Sequence, residues 1–273
     1  MKIHSQYQNL LLFDSFEREN NIVHFSTTRV GGVSNGTFSS FNMGNFSDDN
    51  PVNIYENRNI LARMFYMDMN KFIVPHQTHG NKVLKVDDDF LQLDNRSLIE
   101  TMYGIDSTIT NKKGYFLCAT TADCLPIILY DKKVEAIAAI HAGWKGTLGR
   151  IIENTISEMQ KHYNCTPNDM IVGIGPSICF ENYEVGDELV EYFNSSGFDI
   201  SDPKVCKRKS RSSKYHLNLK EINRRELVRL GVPEQNIEVS ELCTFEKQEM
   251  FFSARRQTTH SGRMLTGIMI KED

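Results

Sequence analysis

No stretch of this 273-residue chain is apolar over the length a membrane helix needs. Residues 1–16, MKIHSQYQNLLLFDSF, hold only a short apolar patch and lack the small-residue cleavage site of a secretory leader. The six cysteines, at 118, 124, 165, 179, 206 and 243, show no paired spacing. That excludes a CxxC knuckle and argues against a disulfide framework, so reduced thiols and a cytoplasmic location are expected. Eight histidines form neither a His-x-His pair nor an HExxH motif. The net charge of −4, with both signs mixed, gives no general pull toward nucleic acid or an anionic membrane. With no repeat or linker, the expectation is one domain over residues 1–273.

What is present concentrates in residues 120–150, TTADCLPIILYDKKVEAIAAIHAGWKGTLGR. Two short apolar runs, 125–130 and 134–140, flank a polar turn and predict a hairpin. Cys124 enters the first strand and His141 leaves the second, so both fall at one end of a sheet. Beyond them a small-residue turn leads into apolar residues at 148, 151, 152, 156 and 159, the spacing of one helix face. A thiol beside an imidazole has three readings: packed core residues, a nucleophile with its base, or two ligands of a metal wanting a third. That third could come from the bend of FIVPHQTHGNKVLKV (72–86), which holds His76 and His79 between two strand-like runs. The spacings are long and irregular, so they do not by themselves decide among the three.

The motifs TTRVGGVS (27–34), HQTHG (76–80), TADCLP (121–126), HAGWKG (141–146), GIGPSI (173–178), YEVG (183–186), FFSARR (251–256) and SGRM (261–264) occur in that order. Together they resemble a family long labelled laccase-like or polyphenol oxidase and later associated with purine nucleoside phosphorolysis. The resemblance spans about residues 27–270. It implies a layered α/β/β/α fold with mixed sheets. It implies a mononuclear zinc bound by His79, Cys124 and His141, with copper as the alternative. It also implies phosphorolysis of adenosine, inosine or methylthioadenosine, with deamination of adenosine, in a monomer or homodimer. The catalytic positions it suggests are Cys124, His141 and Asp123, the last as a proton carrier or as the group orienting His141. The substrate-binding positions are Arg29, Asn42, Gln77, Lys145, Arg255 and Arg256. Two residues depart from the family pattern. Lys145 stands where arginine is usual, and Ala254 where a tyrosine or other large residue is common; lysine does not reproduce a bidentate fork.

Around these motifs, residues 21–28 read as a strand and 29–50 as a long Gly/Ser/Asn-rich loop suited to a phosphate or ribose pocket. Asp49 or Asn50 as N-cap, with Pro51 at the first position, opens a helix to about residue 67. Segments 90–103, 181–193 and 217–230 read as helical, and 105–110, 115–120, 170–174, 237–239 and 264–270 as strands. Asp106 could be a pocket residue but reads rather as a turn residue, and Cys118 and Cys179 read as buried thiols. The basic run KVCKRKSRSSK (204–214) reads as a solvated loop rather than a nucleic-acid surface. Arg255, Arg256, His260 and Arg263 lie close together near the end of the chain, where paired arginines could clamp phosphate. Three rivals stand beside the phosphorylase. A multicopper oxidase would need many more histidines. A cysteine hydrolase would use Cys124 and His141. A partner protein with a structural zinc would need a fourth ligand, for which His76 is the nearest candidate.

Overall fold

The computed structural model describes residues 1–45, 47–208, 214–258 and 260–272. The alternating strands assemble into two six-stranded sheets. The first runs Lys2–Ile3, Leu10–Leu12, Ile22–Thr27, Met264–Ile270, Phe116–Thr121, Phe72–Ile73. The second runs Ile237–Val239, Met170–Ile174, Leu125–Asp131, Ala136–Ala142, Ser107–Thr110, Val83–Lys85. Both contain parallel and antiparallel pairs. A small third sheet joins Glu184–Val185, Tyr215–Leu217 and Cys206–Arg208.

Side-chain parity assigns the layers. Along Leu125–Asp131, Leu125, Ile127 and Leu129 pack with Ile151, Ile152, Ile156 and Met159 of the Ile151–Tyr163 helix. Ile128 and Tyr130 face the other way, onto Leu117, Ile268 and Ile270 of the first sheet. The first sheet's outer side, with Phe25, Phe116, Cys118 and Leu265, packs on Leu61 of the Pro51–Met64 helix. The order is therefore helix, sheet, sheet, helix, as the motifs implied. Every residue of Leu125–Asp131 and Ala136–Ala142 is buried. Truncating one of these aliphatics to alanine is expected to cost about 2–5 kcal/mol.

Several expected elements are redrawn. The runs around the HQTHG bend belong to different sheets, Phe72–Ile73 to the first and Val83–Lys85 to the second. The chain crosses between sheets there, and crosses again between Phe116–Thr121 and Leu125–Asp131. The single helix expected after His141 is two, Trp144–Leu148 and Ile151–Tyr163, separated at Gly149 and Arg150, whose φ of +59° breaks the helical backbone. The 90–103 segment forms Asp88–Leu91 and Asn95–Thr101, capped by Asp87 and Asp94. The helix expected over 181–193 begins only at Asp187, because Glu184–Val185 pairs as a strand. Cys179 is half-buried rather than buried. Of the basic run, residues 209–213 lie outside the described residues. Its flanks meet carboxylates, Lys207 with Glu181, Arg208 with Asp187 and Lys214 with Glu184. Among the described residues no helix is long and apolar enough to cross a membrane.

Candidate metal centre and active site

The two crossings run side by side at one end of the sandwich. Gln77 joins them: its Oε1 accepts from the Thr120 N–H at 2.8 Å and its Nε2 donates to the Thr120 carbonyl at 2.9 Å. The hairpin register pairs Leu125 with Ala142 and Pro126 with His141, which brings Cys124 and His141 together. Parity places His141 on the face of Ile137 and Ala139, between the sheets. The ligand atoms of His79, Cys124 and His141 all lie within 4.8 Å of one another. The two imidazoles meet edge to face, with ring centroids 4.8 Å apart.

Asp106, immediately before the Ser107–Thr110 strand, organises this set. Its Oδ1 accepts from His141 Nδ1 at 2.7 Å and from the His79 N–H at 3.0 Å. Its Oδ2 accepts from the Gly80 N–H at 2.7 Å and the Thr78 N–H at 3.2 Å. The proton on Nδ1 leaves Nε2 of His141 for the Cys124 side. Asp106 also holds His79 in a left-handed conformation, φ +62°, which a non-glycine residue keeps only when its surroundings fix it. Burial works to raise the Asp106 carboxyl, but His141 and the loop N–H groups hold it below the usual aspartate value. Burial likewise pushes the Cys124 thiol up, and His141 with His79 overcomes this and draws it down to about 6. Burial pulls His141 down, and Cys124 with Asp106 raises it to about 9. Without a metal the pair leans to thiolate and imidazolium; the thiolate is the form that ligates metals, and a bound ion would displace the proton on His141 Nε2. Gly143 closes the back: a Cβ there would stand 3.0 Å from Cys124 Sγ and 3.2 Å from His79 Cδ2. One thiolate and two imidazoles, oriented by a carboxylate and grouped with no fourth His, Cys or carboxylate donor among the described residues, form a set able to hold a metal ion with one position open.

Asp123, the expected proton carrier or His141 orienter, has another arrangement. Its Oδ1 accepts from Thr244 Oγ1 at 2.6 Å, and its Oδ2 from Ser253 Oγ at 2.9 Å and the Arg255 N–H at 2.6 Å. It anchors the segment that carries Arg255, and the carboxylate that orients His141 is Asp106. The turn-residue reading of Asp106 is corrected accordingly.

All three donors line a cavity of about 570 Å³ at the end of the sandwich. Trp144, Tyr183, Val74 and Pro75 give it apolar and aromatic walls, and Arg58, Arg255 and Arg263 give it cations. Of the expected substrate residues, Gln77 and Arg255 line this space. The other four lie outside it for evident reasons. Arg29 donates to the carbonyls of Ser39 and Gln248. Asn42 is buried, with its side chain bonded to Ser47, Asp49 and the N–H groups of Gly44 and Arg263. Arg256 is spent on the carbonyls of Thr244, Phe245 and Phe251. Lys145 is exposed, with its Nζ 5.4 Å from the centroid of the Trp144 ring.

Sequence reasoning missed Arg58, whose position in the Pro51–Met64 helix resembles that of a solvated arginine. Its Nη2 and Nε donate to the Met43 carbonyl at 2.8 and 3.2 Å, and burial lowers its pKa to about 10. Arg263, named only as a neighbour of the arginine pair, is held by Ser261 and Gly262 and keeps its place on the wall. Tyr183 was visible only as part of the YEVG motif.

The family model described as "Multi-copper polyphenol oxidoreductase laccase" matches residues 23–271. A protein named purine nucleoside phosphorylase from Bacteroides thetaiotaomicron is 40% identical over 263 residues, covering 96% of this chain and 97% of that one. A second relative, from an unknown prokaryotic organism, is named adenosine deaminase RL5 and is 36% identical, with 90% and 93% covered. The solved structure of YlmD from Geobacillus stearothermophilus has the same fold, with a TM-score of 0.89 and 31% identity over 99% of both chains. The chain is thus an enzyme belonging to the family described as multi-copper polyphenol oxidoreductase laccase, among relatives named purine nucleoside phosphorylase and adenosine deaminase.

Proposed function

We propose that this chain is a zinc-dependent purine nucleoside phosphorylase acting on adenosine, inosine or methylthioadenosine, with adenosine deaminase activity. The observation that carries this reading is the His79/Cys124/His141 set lining one cavity with three arginines. The donor chemistry fits zinc, which takes thiolate and imidazole and leaves a fourth position to water or substrate in catalytic sites. A zinc ion there would supply Lewis-acid polarisation or lower the pKa of a water.

The chain's own residues do the rest. Arg263, Arg255 and Arg58 hold phosphate, which attacks the anomeric carbon of the ribose as the bond to the purine breaks, and the departing base takes up the proton that the phosphate gives up. Trp144 and Tyr183 offer faces for the purine. For deamination, water adds to the purine carbon bearing the amine, and ammonia leaves. Asp106 keeps His141 in one tautomer throughout, and Asp123 fixes the backbone at Arg255.

A second reading has its own observation. Cys124, His141 and Asp106 also stand in the order nucleophile, base and orienting carboxylate of a cysteine hydrolase. Metal analysis alongside product detection from adenosine, with and without phosphate, separates the two. One zinc per chain and phosphate-dependent adenine release, both lost in Cys124→Ala, support the phosphorylase. Bound copper would correct the metal. Activity that survives chelation and is lost to a thiol reagent favours the hydrolase. A protein that holds zinc yet forms neither adenine nor inosine sinks the proposed function.

A further inference from the structure

A second convergence of soft donors lies outside the cavity. Two turns meet there. In the first, the N–H groups of Asn182 and Tyr183 both donate to the Cys179 carbonyl. The second carries Cys243, bridged to Ser177, and Glu246. The ligand atoms of Cys179, Cys243 and Glu246 lie within 4.8 Å of one another. The Cys179 thiol is 3.6 Å from Glu246 Oε1, and the Cys179 N–H reaches Cys243 Sγ at 3.3 Å.

We propose that Cys179, Cys243 and Glu246 form a second metal site for one divalent thiophilic cation of the zinc class, completed by Asn182.

The placement of Asn182 supports this. Its amide Nδ2 sits 3.0 Å from Cys179 Sγ, 3.7 Å from Cys243 Sγ and 2.7 Å from Glu246 Oε1. One neutral N–H₂ group thus gathers three atoms that can each carry negative charge. Turning the amide over brings Oδ1 toward them and gives two sulfurs and two oxygens, a four-donor set that zinc accepts. Thiolates select against magnesium and calcium, which prefer oxygen alone.

Two thiolates and one carboxylate would bring three negative charges, of which a divalent cation cancels two. Burial lowers the Lys220 ammonium to about 8, and Cys243, Cys179, Glu241 and Glu246 act against that, so it is a cation set among the same groups. Lys220 is itself fixed by the Ser240 and Leu242 carbonyls at 2.7 and 3.0 Å, just before Cys243 in the chain.

The site would staple two cavity-forming segments. The Cys179 turn carries Ile178 and Tyr183 into the cavity wall. Thr244, beside Cys243, holds Asp123. Its role is therefore positional, and it is distinct from the donors of the first centre.

Cobalt(II) titration of the full chain tests it, read by the near-ultraviolet thiolate-to-cobalt charge-transfer band and by metal retained after desalting. In Cys124→Ala the first centre has no thiolate, so the expected result is one equivalent bound with that band intact. Adding Cys179→Ala should cut the band by at least half, since only the Cys243 thiolate remains, and adding Glu246→Gln should weaken cobalt binding at least about tenfold. Because Cys243 is buried and its loss could unfold the chain, it is left in place. Zinc content in the Cys124-intact protein gives a second reading: it should fall by one equivalent on Cys179→Ala alone, with circular dichroism unchanged. A Cys124→Ala protein without the band, or a band and zinc content indifferent to Cys179→Ala, overturns the site.

Discussion

Two buried aspartates, Asp106 behind the histidine donors and Asp123 on the cavity wall, do different kinds of work. Asp106 collects three backbone N–H groups and an imidazole, so its charge is shared with a group that itself titrates. Asp123 collects two hydroxyls and one N–H, all neutral. The first builds the floor that carries the two histidine donors, His79 and His141. The second ties down the roof that carries Arg255. The difference teaches that a carboxylate beside a reactive thiol in sequence need not be its chemical partner. Asp123 is adjacent to Cys124 along the chain, yet the residue that tunes the thiol's environment through His141 is Asp106.

Breaking the floor should have the larger effect. Asp106→Ala leaves three loop N–H groups and His141 Nδ1 without their acceptor. Metal affinity or turnover is expected to fall about 10–100-fold. Stability should drop by about 1–3 kcal/mol for each donor left unpaired, read by denaturant unfolding. A turnover number within twofold of wild type would refute the division between floor and roof. Breaking the roof should act mainly on substrate affinity. Asp123→Ala is expected to raise KM about tenfold with metal content preserved, because the donors keep their own anchor. Loss of metal in that variant would merge the two regions into one. A smaller change sharpens the roof further: Arg263→Lys keeps the charge but not the fork, and should raise KM for phosphate by several-fold while KM for nucleoside stays put.

A remote histidine supplies the background for any acid titration. His24, in the Ile22–Thr27 strand, is buried against Phe13 and Phe16, and the Phe13 N–H donates to its Nε2 at 2.9 Å. Burial lowers its pKa from 6.5 to about 4. The unfolded chain therefore takes up this proton first. The stabilisation is complete above pH 6.5, declines as pH falls toward 4, and levels off below. The span is about 3 kcal/mol. His24→Gln should flatten that part of the stability profile and leave activity at neutral pH unchanged. If the slope survives, the acid sensitivity belongs to other groups.

The hairpin of residues 125–140, with a thiol at its entry and an imidazole at its exit, was legible because period-two burial and a polar turn leave one register with the apolar faces inside. Its second strand starts at Ala136 rather than residue 134, since Glu135 takes φ +50° in the turn. The helices bounded by Asn50 with Pro51 and by Gly231 were legible from their end signals. What could not be read was pairing at a distance. Nothing local says that the runs around HQTHG enter different sheets, that Asp106 folds back beneath His79, or that Arg58 leaves a helix face to line a cavity. Arg29, Asn42 and Arg256 have the right chemistry for anions, but nearby backbone and side-chain groups claim them first.

The origin of the three donors also bears on the order in which the chain assembles. Cys124 and His141 meet as soon as one hairpin with a four-residue connection closes, an event of about 1–10 μs in isolated chains. His79 waits on the parallel pairing of Val83–Lys85 with Ser107–Thr110 and on Asp106, and parallel contacts form late. An ion that requires all three would therefore be captured by a nearly finished protein. It would reward folding without templating it, the reverse of a zinc finger, where the metal creates the fold.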